Sequence, residues 1–270
     1  MTRTRAWMLV TALAVVALGT TAARADWWPG EPVKMENPQL PDPMGWDVRF
    51  TEPKVLADDW RCSETGPVDD IHIWFSDRLD RPEDLFMQLI VNVAIYDNIT
   101  EDPANNEPSK PGQLLWGPFI FEPRVIWWGN GDQGWYDPNL PIEPDVNPVL
   151  NDHQNIYQMN IEEIGEDGAV EPFRQEEGNI YWLAATVMDP EPGIPAPVLG
   201  WKTTQDHFMD DAVFIDDGFP VFAPDFWTEM YDETGQSLDL AFVITPEPAT
   251  LALMGLGAAG LVASRRRRRR

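Results

Sequence analysis

Residues 85–98 read LFMQLIVNVAIYDN, so that Met87, Leu89, Val91, Val93 and Ile95 alternate with Phe86, Gln88, Ile90, Asn92 and Ala94. Successive side chains of an extended chain point to opposite faces, and a period of two rich in β-branched residues therefore specifies a strand. Shorter runs of the same kind recur along the chain: IHIWF, LLWGPFIF, RVIWW, IYQMNIEEI, IYWLAATV, VLGWKTT, AVFI, FWTEM and LDLAFVI. Clusters of Pro, Gly, Asp and Asn, such as DNITEDPANNEPSKPG, separate them and read as turns and loops. No segment of the body keeps a 3.6-residue apolar period over the length of a helix. About ten strands with polar, proline-rich connections predict an all-β fold over residues 46–244, an antiparallel β-sandwich of jelly-roll or lectin-like type. Ahead of it, DWWPGEPVKMENPQLPDPMG (26–45) holds too much proline for a strand and is expected to wrap the surface in extended form.

The two ends differ from this body. Arg3 and Arg5 precede an apolar run from Ala6 to Leu18, and small residues stand at Ala23 and Ala25. These are the parts of a secretory signal helix, expected over residues 1–25, with the mature chain starting at Asp26. At the other end, residues 249–263 carry no charge and six arginines fill 265–270. At about 1.5 Å per residue a helix over 249–263 reaches roughly 22 Å, short of a bilayer core of about 30 Å. A transmembrane helix here needs a thinned bilayer and snorkelling arginines. The arginines keep to the cytoplasmic side, which leaves the body outside.

Pro246, Glu247 and Pro248, followed by that helix and the arginines, closely resemble a PEP-CTERM sorting signal over residues 245–270. The resemblance implies recognition by a membrane-embedded exosortase and transient anchoring in the membrane. Release to the cell envelope or to an extracellular matrix rich in exopolysaccharide would follow. A plain C-terminal anchor is the alternative. Within the body, LADDWRCSETGPVDDIHIWFS, YWLAATV, GWKTTQDHFMDDAVF and LDLAFVI are similar to a domain of unknown function that recurs in PEP-CTERM exported proteins. That resemblance implies one β-rich domain and supplies no activity.

Charge narrows the partners. Forty-four of the 45 acidic residues but only ten of the 19 basic ones lie between Asp26 and Thr245, so this body carries −34 against −26 for the whole chain. Such a field repels nucleic acid, which is excluded as a partner, and attracts cations. Cys62 is the only cysteine. The body therefore has no internal disulfide, and the thiol is expected to serve as a small buried apolar group.

Four acidic pairs stand out: Asp58–Asp59, Asp69–Asp70, Asp210–Asp211 and Asp216–Asp217. A glycosidase needs two carboxyls about 5–10 Å apart, but so acidic a body creates pairs by chance, and solvated turns and strand ends are the simpler expectation. ADDW and MDDAV each place an acidic pair before an apolar run, at an expected strand end. GNGDQGWYDPN offers Asn130, Asp132, Asp137 and Asn139 as calcium ligands in one Gly-rich loop; Asx side chains capping their own turns are the alternative. Twelve of the 13 tryptophans lie in the body. Trp127 and Trp128 are adjacent on RVIWW, so one should face in and the other out, with Trp135 close behind. Aromatic faces beside acids suit sugar binding, which makes Trp127, Trp128 and Trp135 the carbohydrate candidates; packing is the competing role.

GWKTTQDHFMDD holds Lys202, His207 and Asp210, expected as a buried ion-pair or hydrogen-bond cluster at a sheet edge. The sequence contains no HExxH, nucleophile elbow or phosphate-binding glycine loop. The chain reads as a non-enzymatic, structural or adhesive exported protein with exopolysaccharide as favoured partner and no catalytic residue assigned. A secreted carbohydrate-active enzyme is the alternative. The sorting signal leads to the first expected outcome: mass spectrometry of surface-extracted protein recovers no peptide from Leu251 to Ala263. Recovery of that segment in mature protein would identify a permanent anchor.

Overall fold

A computed structural model describes Asp26–Pro246 apart from residues 81–88, 106, 141–146, 166–167, 189–197, 217, 220–225 and 233. Fifteen strands form among these residues. The first eight are β1 (Trp46–Arg49), β2 (Val55–Arg61), β3 (Gly66–Pro67), β4 (Asp70–Asp77), β5 (Ile90–Ile99), β6 (Lys110–Phe121), β7 (Arg124–Tyr136) and β8 (Val149–Ile161). They are followed by β9 (Arg174–Gln175), β10 (Ile180–Met188), β11 (Leu199–Thr204), β12 (Val213–Ile215), β13 (Thr228–Glu229), β14 (Asp239–Leu240) and β15 (Phe242–Thr245). The described residues contain no helix. The expected signal helix, the 249–263 helix and the arginine cluster all lie outside them.

The strands form two large sheets and the small β3–β9 ribbon. One large sheet is open, in the order β13-β12-β2-β10-β5-β6. The other contains a ring. β11 pairs with β1 through Asp47↔Lys202, Val48↔Trp201 and Arg49↔Gly200, and with β4 through Leu199↔Asp77, Gly200↔Ser76 and Trp201↔Phe75. Since β1 pairs with β7, β7 with β8 and β8 with β4, five strands close on themselves. β14 and β15 occupy the seam where β4 and β11 diverge, β14 on Thr203–Thr204 and β15 on Asp70–Ile73. The all-β expectation therefore holds. The purely antiparallel sandwich is corrected in two respects, because one sheet is closed and β1–β7 is a parallel pair. Sequence periodicity marks which residues alternate, and the partner of each strand is a long-range matter that it cannot specify.

Both sheets contribute to one apolar core. Val48, Ile73, Trp201 and Phe242 from the ring side meet Trp60, Val93, Ile95 and Leu183 from the open sheet. Trp60 and Phe242 touch edge to face across that interface, with ring centroids 6.1 Å apart. The open sheet is also buried on its other face, where Val55, Ala94, Tyr96, Trp182, Val213 and Trp227 form a second cluster. This double burial explains why the β5 sequence VNVAIY is apolar at neighbouring positions as well as alternate ones. The 26–45 segment does more than wrap the body. Trp27 and Met35 enter the core, and the Lys34 backbone N–H donates to the Ile244 carbonyl at 2.7 Å. Cys62 is buried, as expected for an apolar filler.

Truncating a fully buried aromatic leaves a cavity that a close-packed interior cannot fill. Trp201→Ala is expected to lower stability by about 3–5 kcal/mol in urea denaturation. Leu150→Ala, at an exposed position of β8, should stay within about 0.5 kcal/mol of wild type.

Candidate functional site

RVIWW forms the start of β7, and the expected alternation is observed. Trp127 is 49% exposed. Trp128 faces the other way, stacked on Trp28 with centroids 4.5 Å apart and edge-on to Trp74 at 5.2 Å. The exposed ring is held at its edge. Trp127 Nε1 donates to Asn155 Oδ1 at 3.2 Å, and Asn130 Nδ2 donates to the same oxygen at 3.1 Å. Asn155 is itself clamped, because Asp80 Oδ1 accepts from its backbone N–H at 2.8 Å and from its Nδ2 at 3.1 Å. Asp80 sits in the turn after β4 with φ of 50°, a conformation that Asp tolerates better than most residues. One indole face is thus open to solvent while its polar edge is fixed through Asn155 to Asp80. An apolar ring face beside amide and carboxylate groups can stack on the C–H face of a sugar and offer hydrogen bonds to its hydroxyls.

Trp135 does not join this site. It is 2% exposed, and its ring lies edge-on to His153 at 6.3 Å, so it belongs to the interior. The calcium loop also takes a different form. β7 runs through Tyr136, which places Asn130 and Asp132 on a strand. Gly131 serves close approach there, since a Cβ on it would lie 1.8 Å from the Pro43 carbonyl oxygen. Asp137 is buried between two cations, 3.1 Å from Arg49 Nη1 and 3.3 Å from Lys54 Nζ. Asn139 donates its backbone N–H to Asp137 Oδ1 at 3.3 Å, which is the Asx-turn arrangement. Among the described residues no cluster of three or more His, Cys, Asp or Glu side chains has metal-binding geometry. Of the sorting motif, Pro246 is described, while Glu247 and Pro248 lie outside the described residues.

The acidic pairs separate into two kinds. Asp58 and Asp59 lie inside β2 and are fully buried, not solvated at a strand end as expected. Asp58 Oδ1 accepts from the Asp59 N–H at 2.7 Å. Neither carboxylate oxygen of Asp59 has a hydrogen-bond partner among the described residues. Burial, then Asp239 and Asp59, push the Asp58 pKa well above the carboxylate range. Burial, then Asp239 and Asp210, raise Asp59 to about 9. Burial also raises Asp239 to about 6 and Asp70 to about 7. Asp210, by contrast, stands before β12, where it accepts from the Ser109 N–H at 2.8 Å. The Lys202–His207–Asp210 stretch divides as well. His207, in the segment between β11 and β12, has an exposed side chain 3.2 Å from Asp239, whereas Lys202 lies buried in the ring.

A family model described as Domain of unknown function (DUF7901) matches residues 35–245. The chain belongs to this family. A second model, the PEP-CTERM protein-sorting motif, matches residues 245–269. No curated protein matches the chain. The sorting motif marks the DUF7901 body as an exported, envelope-associated protein that is processed by an exosortase. Among the described residues no helix is long and apolar enough to cross a membrane, and segment 249–263 lies outside them. Asn155, Asp80 and Asp239 carry no signal that sequence reasoning singled out, because each acts through a partner distant in the chain.

Raised carboxyl pKa values set the sign of a pH dependence. These groups are ordinary acids of pKa 3.8 when unfolded. The stability they contribute is complete below that value and is lost as pH rises through about 6, 7 and 9 in turn. His72 and Lys202, both lowered by burial, work in the opposite direction, His72 only below its ordinary 6.5 and Lys202 as pH rises towards its ordinary 10.5. His153, raised to about 9, adds to the carboxyls. The melting temperature of the DUF7901 body should therefore fall between pH 6.5 and pH 9. Asp59→Asn should be more stable than wild type at the alkaline end by at least the roughly 1.4 kcal/mol that one pKa unit represents. An unchanged slope in the Asn variant would exonerate Asp59.

Proposed function

We propose that this exported body is a non-enzymatic polysaccharide-binding module with a structural or adhesive role in the cell envelope or extracellular matrix. The observation that carries the proposal is Trp127, an indole half open to solvent whose edge is fixed by Asn155 and, through it, by Asp80. A ring oriented in advance loses little side-chain freedom on binding, so more of the stacking energy appears as affinity. The −34 body, calculated over Asp26–Thr245, also disfavours nucleic acid and bare anionic surfaces as partners. The sealed Asp58–Asp59 pair supports a binding role over hydrolysis, since neither carboxyl reaches solvent where a glycosidic bond could meet it.

Binding to the producing cell's own exopolysaccharide should be measured by affinity electrophoresis and by tryptophan fluorescence. Trp127→Ala is expected to weaken it by about tenfold, or ~1.4 kcal/mol, while the melting temperature stays close to wild type. Asn155→Ala should weaken it less, by releasing the ring edge. Unchanged affinity in Trp127→Ala would remove the sugar site from this face. Release of reducing ends by the wild-type body would make the protein a carbohydrate-active enzyme.

A further inference from the structure

The ring interior holds a chemical arrangement that neither export nor sugar binding uses. Asp47 on β1 and Lys202 on β11 are cross-strand partners. Lys202 Nζ lies 2.9 Å from Asp47 Oδ2, and both side chains are completely buried. His153 Nε2, from β8, reaches the same Oδ2 at 2.9 Å, and its Nδ1 lies 2.5 Å from Asp152 Oδ1. β8 is separated from β1 by β7, so this contact crosses the inside of the ring. Among the described residues no group donates to Asp47 Oδ1. Two nitrogens therefore converge on one carboxylate oxygen and leave the other unpaired.

We propose that Lys202 and Asp47 become joined by an isopeptide bond that the protein forms by itself, with His153 moving the protons.

Groups of this chain supply the nucleophile, the carboxyl, a proton carrier and a dry site. The nucleophile and the carboxyl are held in contact by hydrogen-bonded strands, which replaces an improbable encounter by an intramolecular one. Burial lowers the Lys202 pKa, although Asp47 works against that, and a desolvated neutral amine is the nucleophilic form. Trp135 packs edge-on to His153 and keeps water out. Gly200 permits the close fit, because a Cβ there would meet Asp47 Cβ at 2.6 Å and the Trp135 ring at 2.8 Å. Burial disfavours the His153 imidazolium, but hydrogen bonds to Asp152 and Asp47 outweigh it and raise the pKa to about 9. His153 is thus protonated at neutral pH and touches the oxygen that must leave.

The step balances without any outside reagent. Lys202 passes one proton to Asp47 Oδ2, giving an amine and a carboxylic acid. The Nζ lone pair attacks Cγ and forms the C–N bond. His153 Nε2 donates a proton to the Oδ2 hydroxyl, the Cγ–Oδ2 bond breaks and water departs. The attacking nitrogen gives up one proton to His153, which restores the imidazolium, and Oδ1 remains as the amide oxygen. No oxidation state changes. The product replaces a fully buried ion pair, which pays heavily for desolvation, by a neutral amide. It ties together strands 155 residues apart in a body that has no disulfide. The proposal is independent of the sugar site.

Intact-mass measurement of the full chain as isolated, under denaturing conditions, tests it directly. The wild-type mass should lie one water below the mass calculated from its observed termini, and tandem mass spectrometry should show a branched peptide joining β1 to β11. Lys202→Arg should return the calculated mass. Asp47→Asn should form the same bond with loss of ammonia. His153→Gln should accumulate the unlinked chain. A wild-type mass equal to the calculated value overturns the proposal whether or not any variant folds. A water loss confined to Asp47, without Lys202 in the fragment, overturns it too.

Discussion

β11 is six residues long, and the sheet that contains the ring depends on it. Pairing with β1 on one side and β4 on the other turns an open run of strands into a ring. Without it, β1 and β4 would each present unpaired backbone groups, and exposed strand edges template aggregation. The closure is held by packing as well as by hydrogen bonds. Trp201, at the centre of β11, is fully buried against Phe50 and Phe242 and donates its indole N–H to the Ala241 carbonyl at 2.9 Å. The residues on the opposite face of β11 point into a small space, which is why Gly200 and the polar Lys202 alternate with that tryptophan.

One of the buried charge clusters sits at the closing strand. Part of the acidity is matched inside the body: Asp47 with Lys202 and His153, Asp137 with Arg49 and Lys54, Glu162 with Arg124. Asp58 and Asp59 have no cation at contact distance, and burial with the neighbouring Asp239 pushes both carboxyls up, Asp59 to about 9. Asp59 is thus a neutral group at neutral pH, while many other acids of the body stand at its surface. The open ring of Trp127 stands on that surface, fixed from below by hydrogen bonds.

The periodic runs identified β4, β10 and β11 with small boundary differences, because burial of one or both faces writes itself into local sequence. Of the 85–98 run β5 takes Ile90 onward, with residues 85–88 outside the described residues, and LDLAFVI divides between β14 and β15. The alternation at Trp127 and Trp128 was equally legible, since opposite faces follow from backbone geometry alone. GNGDQG misled for a physical reason. Glycine is read as a turn former, yet at Gly131 it makes room for Pro43, a contact across a large sequence separation. Trp135 is buried through its neighbours on β8 and β11, and no local pattern announces that. Asp58–Asp59 departed from its expected strand end for a related reason, because a DD dipeptide looks the same whether it faces water or the packed interior.

The amino-acid sequence by itself determined the export route, the acidic and disulfide-free character of the body and its all-β composition. Each of these is a local or compositional property: a sorting motif, a count of charges and cysteines, a period of two. The tertiary structure decided which strand pairs with which, that one sheet closes into a ring, and that Lys202, Asp47 and His153 meet inside it. Side chains from positions 47, 153 and 202 come together only because β11 is bonded on both edges, and the closing of a sheet is a property of all its strands at once.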